Sequence, residues 1–307
     1  MSNSPANLPF VFNPEVEAAL NAKRAVVALE STIISHGLPH GRNLEVAHEI
    51  EATVRGAGAI PATIAIIDGS IRVGLSTEEL AQIADGNKVA KASIRDLPIV
   101  LAKKTLGATT VASTSFVAAR AGIKVFATGG LGGVHRDANE TYDESADLTA
   151  LSQSPIAVVC AGVKSILDIS ATLERLETLS VGVIGYGTDR FPGFYVRSTE
   201  HKLPWRLDTP ADIAAALKAR DALGLQQAIV VANPIPANSA MDQARHDRIL
   251  AEALHAMAEK NVSGKNVTPF LLAFFHERTQ GESLSANVAL VLNNAALAAQ
   301  IAVAAAK

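Results

Sequence analysis

Lys164 directly follows the apolar run 155–160 and the turn Ala161-Gly162-Val163, ahead of Ser165-Ile166-Leu167-Asp168. The run predicts a buried strand, and residues 165–176 predict a helix. The lysine is thereby placed at a strand-to-helix junction, its stem among apolar neighbours. Desolvation there disfavours the ammonium form. A neutral amine is a nucleophile able to form a Schiff base with a sugar carbonyl. The same spacing also describes an ordinary surface lysine near a helix start. Glu30 follows the apolar residues 25–29, at the C-terminal end of a predicted strand. Open α/β sheets present ligand-binding groups at such ends. Partial burial would raise the carboxyl pKa and suit it to general acid work; a capping or surface glutamate is the alternative.

Other segments carry weaker chemistry. Thr128-Gly129-Gly130-Leu131-Gly132-Gly133-Val134-His135 has glycines that allow close backbone approach, with N–H groups able to cradle an oxyanion; a flexible turn has the same composition. Thr109-Thr110-Val111-Ala112-Ser113-Thr114-Ser115 opens a predicted helix (109–121) with hydroxyls and free N–H groups, suited to phosphate or to ordinary capping. Lys91 and Arg95, near Ser93, add positive charge or form a solvated face. Asp137, Glu140, Asp143, Glu144 and Asp147 form an acidic cluster able to hold a hard cation through one or two carboxylates and water. A polar loop capping a helix at Asp147 fits it too. Asn287 and Asn294 share one face of a predicted helix. Gly185-Tyr186-Gly187 lacks the third glycine of a dinucleotide fingerprint and is followed by Phe191-Pro192, so that reading is rejected. The aromatics of Tyr186 and the loop 189–195 are expected to act as a lid over the ligand.

Short apolar runs alternate with helical patterns along most of the chain, which predicts an α/β fold. Strands are expected at 25–29, 62–67 (turning at Asp68-Gly69), 124–127, 155–160, 181–184 and 228–232. Helices are expected at 43–57, 77–85, 109–121, 165–176 and 212–223. From 239 the pattern turns helical (239–260, 269–279, 283–306), a layer closing over the sheet. The 307 residues read as a single domain, with 1–15 a flexible N-terminal segment.

Apolar residues make up 49% of the chain, charged 19% and aromatic 4%, so the core is aliphatic. A net charge of −3 without a long basic run gives polymeric nucleic acid little to bind. Cys160 is the only cysteine, so no intrachain disulfide forms, as in a reducing, cytoplasmic setting. No signal peptide is visible. The apolar stretch 288–306 is interrupted by Asn293, Asn294 and Gln300, and reads as a buried or subunit-facing helix rather than a membrane span.

Taken in order, these blocks resemble the pseudouridine-5'-phosphate glycosidase family, also called the indigoidine synthase A family. The blocks are Ala28-Leu29-Glu30-Ser31-Thr32-Ile33, Pro61-Ala62-Thr63-Ile64-Ala65, Gly107-Ala108-Thr109-Thr110-Val111-Ala112-Ser113-Thr114, Phe126 to Arg136, Cys160 to Asp168, Val231-Ala232-Asn233-Pro234-Ile235-Pro236 and Thr268-Pro269-Phe270-Leu271-Leu272. The resemblance implies a three-layer α/β/α core with a mixed, mostly parallel sheet and a helical C-terminal region. It implies reversible cleavage of pseudouridine 5'-phosphate to uracil and ribose 5-phosphate, a divalent metal, usually Mn2+, and a homotrimer. By the same resemblance Lys164 is the nucleophile, Glu30 the proton donor and Asp143 the metal ligand. Lys91, Thr110, Val111, Ser145, Ala146 and Asp147 bind substrate, and Thr128, His135 and Asn287 line the pocket. Leu38 stands where methionine is frequent, and Val163 where a smaller residue is common. Rival functions are another Schiff-base sugar-phosphate lyase or aldolase, a non-catalytic nucleotide-binding module, and a specialised enzyme of pigment synthesis.

Overall fold

The computed structural model describes residues 10–260, 262 and 267–306, with 268 and 269 described only by their place in a helix. The short β-branched runs become the strands of an eleven-stranded sheet. They are β1 (Phe10–Phe12), β2 (Val26–Leu29), β3 (Ile60–Ile67), β4 (Ser70–Val73), β5 (Ala90–Ala92), β6 (Gly107–Thr109), β7 (Val125–Ala127), β8 (Ala157–Cys160), β9 (Gly182–Tyr186), β10 (Arg206–Leu207) and β11 (Ile229–Ala232). The main path runs β1-β4-β3-β2-β7-β8-β11-β9-β10, with β6 against β3 and β5 against β6. All pairings are parallel except β3 with β4 and β3 with β6. Every residue of β2, β3, β7 and β8 is buried, as expected of strands covered on both faces. Helices cover both sides of the sheet, so the three-layer, mostly parallel expectation holds.

β3 is longer than its neighbours, and it forks. Its first half, Ile60 to Thr63, pairs with β2, and its second half pairs with β4, with Ala65 and Ile66 also facing β6. The β3–β4 hairpin turns at Asp68 and Gly69, both at positive φ, as the Asp-Gly pair predicts. Helix Glu282–Ala305 crosses β2, β7 and β8 between helices Arg42–Gly56 and Pro210–Ala222. It buries Leu290, Asn294, Leu297 and Ile301, so its apolar length is spent on the sheet.

Several expectations change. The helix expected at 165–176 begins at Ile169, capped by the Asp168 carboxylate, which accepts from the Ala171 N–H at 2.9 Å. Residues 161–168 form a loop instead, because their backbone pairs elsewhere: the Lys164 N–H donates to Leu131 O (3.1 Å) and the Asp168 N–H to Val134 O (3.0 Å). The long helix expected from 239 starts at Gln243, where Asp242 accepts from the Arg245 N–H. Within the segment expected to be flexible, Phe10–Phe12 pairs with β4 and helix Pro14–Asn21 is capped by Asn13; residues 1–9 lie outside the described residues. The side chains of the Thr268-Pro269 block also lie outside them.

Candidate active site

The fork in β3 leaves a gap at the C-terminal end of β2, and hydroxyls fill it. The Ser31 hydroxyl donates to Ile64 O (2.7 Å) and accepts from the Thr109 N–H (2.9 Å). The Thr109 hydroxyl donates to the same Ile64 oxygen (2.7 Å), and the Thr32 hydroxyl to Thr109 O (2.8 Å). These bonds pin the chain on either side of the point where β6 replaces β2, and Glu30 is the first residue beyond β2. β7 runs beside β2, which sets Thr128 next to Glu30, and the Thr128 hydroxyl donates to the Glu30 carboxylate. Thr128 is buried and is held in turn by Asn294, whose amide donates to Thr128 O (2.8 Å) and accepts from Asn233 (2.9 Å). Thr128 therefore stands behind Glu30 as a support rather than lining the cavity as expected. Asn294 is structural, while Asn287, seven residues earlier, reaches the cavity.

Lys164 enters from the far side, on the loop after β8. That loop interlocks with the glycine-rich loop after β7 and with residues 190–196. The Leu131 N–H donates to Gly162 O, and the Phe194 N–H to Ala161 O, both at 3.0 Å. Three of the glycines are required by this crowding. A Cβ on Gly130 would lie 2.7 Å from the Phe194 ring, one on Gly132 2.7 Å from the Asp147 carboxylate, and one on Gly133 2.8 Å from Val163. The Gly132 N–H is engaged with Asp147 at 2.8 Å. Asp147 also accepts from the Ala112 N–H at 2.9 Å, joining the start of helix Val111–Arg120 to the glycine loop. Ser145, not Asp147, caps the helix Ala146–Leu151.

These elements enclose a cavity of about 310 Å³. Glu30, Lys91, Thr110, Val111, His135, Asp143, Ser145, Ala146, Asp147 and Lys164 all line it, together with Ser93 and Arg95. Of the expected residues only Thr128 and Asn287 do not. A narrower inner cavity of about 50 Å³ adjoins it, lined by Glu30, Lys91, Lys164 and Asn287 and also by Ile33, His36 and Phe194. Burial pushes the Glu30 carboxyl above the usual carboxylate range, against the opposing pull of the Lys164 charge and the Thr128 hydrogen bond. Lys91 keeps solvent contact through the open side of the cavity, yet desolvation by the surrounding protein, and then the Lys164 charge, lower its pKa.

The loop 189–195 is not a free lid. Phe194, at φ 65°, and Tyr195 are buried, and Tyr195 stacks on Phe275 with ring centroids 5.4 Å apart. The loop is a fixed wall because its backbone is bonded to the loop after β8. Tyr186 pairs within the sheet with Leu207 and is not among the residues lining the two cavities. Among the described residues no three His, Cys, Asp or Glu side chains converge as a metal cage. Asp143 lies 3.8 Å from the His135 imidazole, and Glu144 is paired with Arg175 at 2.9 Å. One cavity-lining carboxylate with water fits a small hard cation that keeps most of its hydration. His36 was not singled out from sequence. It sits in the π-helical turn Ile33–Gly37, which directly follows the Ser31 and Thr32 hydroxyl contacts at the β3 fork.

Residues 15–304 match the family model described as indigoidine synthase A like protein. A pseudouridine-5'-phosphate glycosidase from Salinispora tropica is 60% identical over 95% of this chain and 90% of its own length. One from Symbiobacterium thermophilum is 55% identical over 95% and 96%. Among solved structures, a prealnumycin C-glycosynthase in complex with ribulose 5-phosphate matches with a TM-score of 0.91 at 37% identity over 98% of both chains. An indigoidine synthase A-like protein from Thermotoga maritima matches with a TM-score of 0.90 at 34% identity over 100% of both.

Proposed function

This chain belongs to the indigoidine synthase A-like family, and on that premise we propose that it reversibly cleaves the C–C glycosidic bond of pseudouridine 5'-phosphate to uracil and ribose 5-phosphate. The observation that carries the reading is the pairing of Glu30, its proton held tightly by burial, with Lys164 on the same cavity walls. The C-glycosynthase that resembles this chain is named for the same kind of bond and was captured with a pentose 5-phosphate.

A carbon–carbon glycosidic bond cannot break by simple departure of the base, because the base would leave as a poor carbanion. Opening the sugar first removes that difficulty. The electron pair of uracil N1 pushes through C6 and C5 to expel the ribose ring oxygen, which takes the proton held by Glu30. The neutral Lys164 amine adds to the exposed C1' carbon and restores the uracil ring. The proton shed by that amine returns to Glu30, which delivers it to uracil C5. The nitrogen electron pair then forms the C1'=N iminium as the C1'–C5 bond breaks, and its electrons return to the uracil ring. Uracil leaves, and water hydrolyses the iminium to ribose 5-phosphate and free Lys164. A raised pKa suits Glu30 to both proton transfers, and desolvation, followed by the Lys164 charge, lowers the Lys91 pKa beside it.

Lys91, Thr110, Val111 and the segment Ser145 to Asp147 bind the sugar phosphate in this reading, with Arg95 at the rim. Asp143, assisted by His135 and water, is the residue we assign to a divalent cation, Mn2+ by family resemblance. When bound, such a cation would add positive charge beside the anionic ligand. A homotrimer and a cytoplasmic location complete the proposal; light scattering tests the first.

The test is uracil release from pseudouridine 5'-phosphate, with manganese and with chelator. Borohydride reduction in the presence of ribose 5-phosphate should leave a stable adduct on Lys164. Release of uracil with the adduct on Lys164 supports the assignment, and an adduct on another residue, or no release from folded protein, overturns it.

A further inference from the structure

The inner cavity does not end at the base of the sugar-phosphate cavity. It shares His36, Gly37, Leu272 and Asn287 with a third hollow of about 220 Å³ on the opposite side. It shares Glu30, Thr32, Lys91 and Lys164 with the sugar-phosphate cavity. The three spaces are therefore strung in a row, with the reacting groups at one neck and His36 and Asn287 at the other. The outer hollow is rimmed by Pro39, Ala273, His276 and Leu284, and none of the lysines that line the other two reaches it. No Lys, Arg, Asp or Glu is among the described residues that line it, in contrast to the cavity that holds Lys91, Arg95 and the carboxylates.

The neck residues suit a pyrimidine. His36 occupies a π-helical turn, an element that recurs at functional sites. Its Nε2 is buried with no hydrogen-bond partner among the described residues. Desolvation and then the nearby Lys91 lower its pKa, against a backbone hydrogen bond to Val89, and so favour the neutral ring. The neutral imidazole leaves one ring nitrogen, and the Asn287 amide a donor and an acceptor, for the alternating N–H and C=O groups of a uracil edge. A phosphate needs cations and donors instead, and those gather at the other end.

We propose that the site has two mouths: the sugar phosphate uses the cavity lined by Lys91 and His135, and the base reaches and leaves the reacting groups through the outer hollow, past His36 and Asn287. The proposal rests on the reaction assigned above. It gives that reaction an order. Uracil departs through its own mouth while the sugar is still joined to Lys164, and hydrolysis frees ribose 5-phosphate afterwards through the other. In the reverse direction uracil reaches an adduct that already fills the sugar side.

Ala273 is exposed on helix Val267–Arg278 at the rim of the outer hollow, away from the reacting groups. Ala273→Trp, assayed in the direction of synthesis, should raise the KM for uracil roughly tenfold while leaving the KM for ribose 5-phosphate and borohydride trapping unchanged. Arg95→Ala, at the rim of the other mouth, should show the converse. Ala273→Leu repeats the test with a smaller obstruction should the tryptophan disturb folding. Equal effects of Ala273→Trp and Ala273→Leu on both substrates, or none on uracil, overturn the two-mouth proposal while the reaction stands. Absence of uracil turnover in the unaltered protein overturns the reaction and this proposal with it.

Discussion

Hollows of equal size, about 310 Å³, lie at opposite ends of the central strands, and only one has the makings of an active site. At the N-terminal ends, Lys23, Arg24 and Lys124 border a hollow beside the close of the C-terminal helix. Lys124 pairs with Asp221 at 3.1 Å, and both remain substantially exposed. Gly122 there takes φ 83° to end the helix Val111–Arg120, with open space around the position a Cβ would occupy. At the C-terminal ends Lys91 and Lys164 meet a carboxyl whose pKa is raised by burial, and the glycines are needed because backbone and side chains press on them. Volume and positive charge are thus common to both ends. Crowding and desolvation separate them, because only where water is excluded do nearby charges alter one another's proton affinity strongly.

The strongest way to break that comparison is at Lys164. Lys164→Ala should reduce uracil release on the order of a thousandfold or more while leaving the fold intact. Circular dichroism beside the assay checks this, and a variant retaining most of its activity would reduce the two ends to equals. Glu30→Gln comes next, with a loss of roughly a hundredfold or more. It also carries a stability prediction of definite sign. The folded-state pKa of Glu30 is raised above the unfolded value near 4.5, so its stabilising contribution is complete below that value and is lost as pH rises through the folded pKa. Glu30→Gln should therefore melt higher than the unaltered protein at about pH 8, and the gap should close towards about pH 4. A gap that widens on acidification would contradict the burial assigned to this carboxyl.

A smaller contrast comes from the glycines. Gly132→Ala drives a methyl against the Ser145 hydroxyl and the Asp147 carboxylate and should cost about 1–3 kcal/mol, with loss of activity because both residues line the cavity and Asp147 aligns the helix start at Ala112. Gly122→Ala has room for its methyl but not for its φ, and should cost about 1 kcal/mol with full activity retained. Chemical denaturation and the uracil assay, run on both, separate crowding from backbone strain. If Gly132→Ala keeps the activity of the unaltered protein, the crowding at the active end has no catalytic consequence.

The same physics explains what the sequence disclosed. Lys164 and Glu30 were legible because each ends an apolar run, and the end of a buried strand is fixed by local pattern. The helix after Lys164 was misplaced because its first turn is replaced by backbone pairing to Leu131 and Val134, far away in sequence. The crowding at Gly130, Gly132 and Gly133 does not show in the sequence, because backbone freedom looks the same whether a ligand or the protein fills the space. Thr128 was placed in the pocket when it stands behind Glu30, since sequence order does not reveal which side of a carboxylate a neighbour takes. His36 lies in a π-helical turn that follows residues whose hydroxyls bond to Ile64 and Thr109, contacts far away in sequence that no local pattern shows. β1, β5, β6 and β10, of three residues or fewer, are too short to show a period, whereas β7, equally short, is legible as a wholly apolar run after Lys124.

The least effect is expected where the comparison predicts none. Lys124→Ala removes the ion pair to Asp221 at the N-terminal hollow. Both partners are well solvated, and Asp221 keeps a second partner in Arg220, whose guanidinium donates at 2.6 Å. Solvent screening leaves such an exposed pair worth about 0–1 kcal/mol. The Asp221 carboxyl, held below its usual range chiefly by the Arg220 and Lys124 hydrogen bonds against a desolvation cost, should stay ionised at neutral pH on Arg220 alone. Uracil release, its KM and borohydride trapping should all match the unaltered protein. A measurable loss of turnover in Lys124→Ala would mean that charge at the N-terminal ends reaches the reacting groups through the strands, and that the two hollows are coupled rather than merely alike in size.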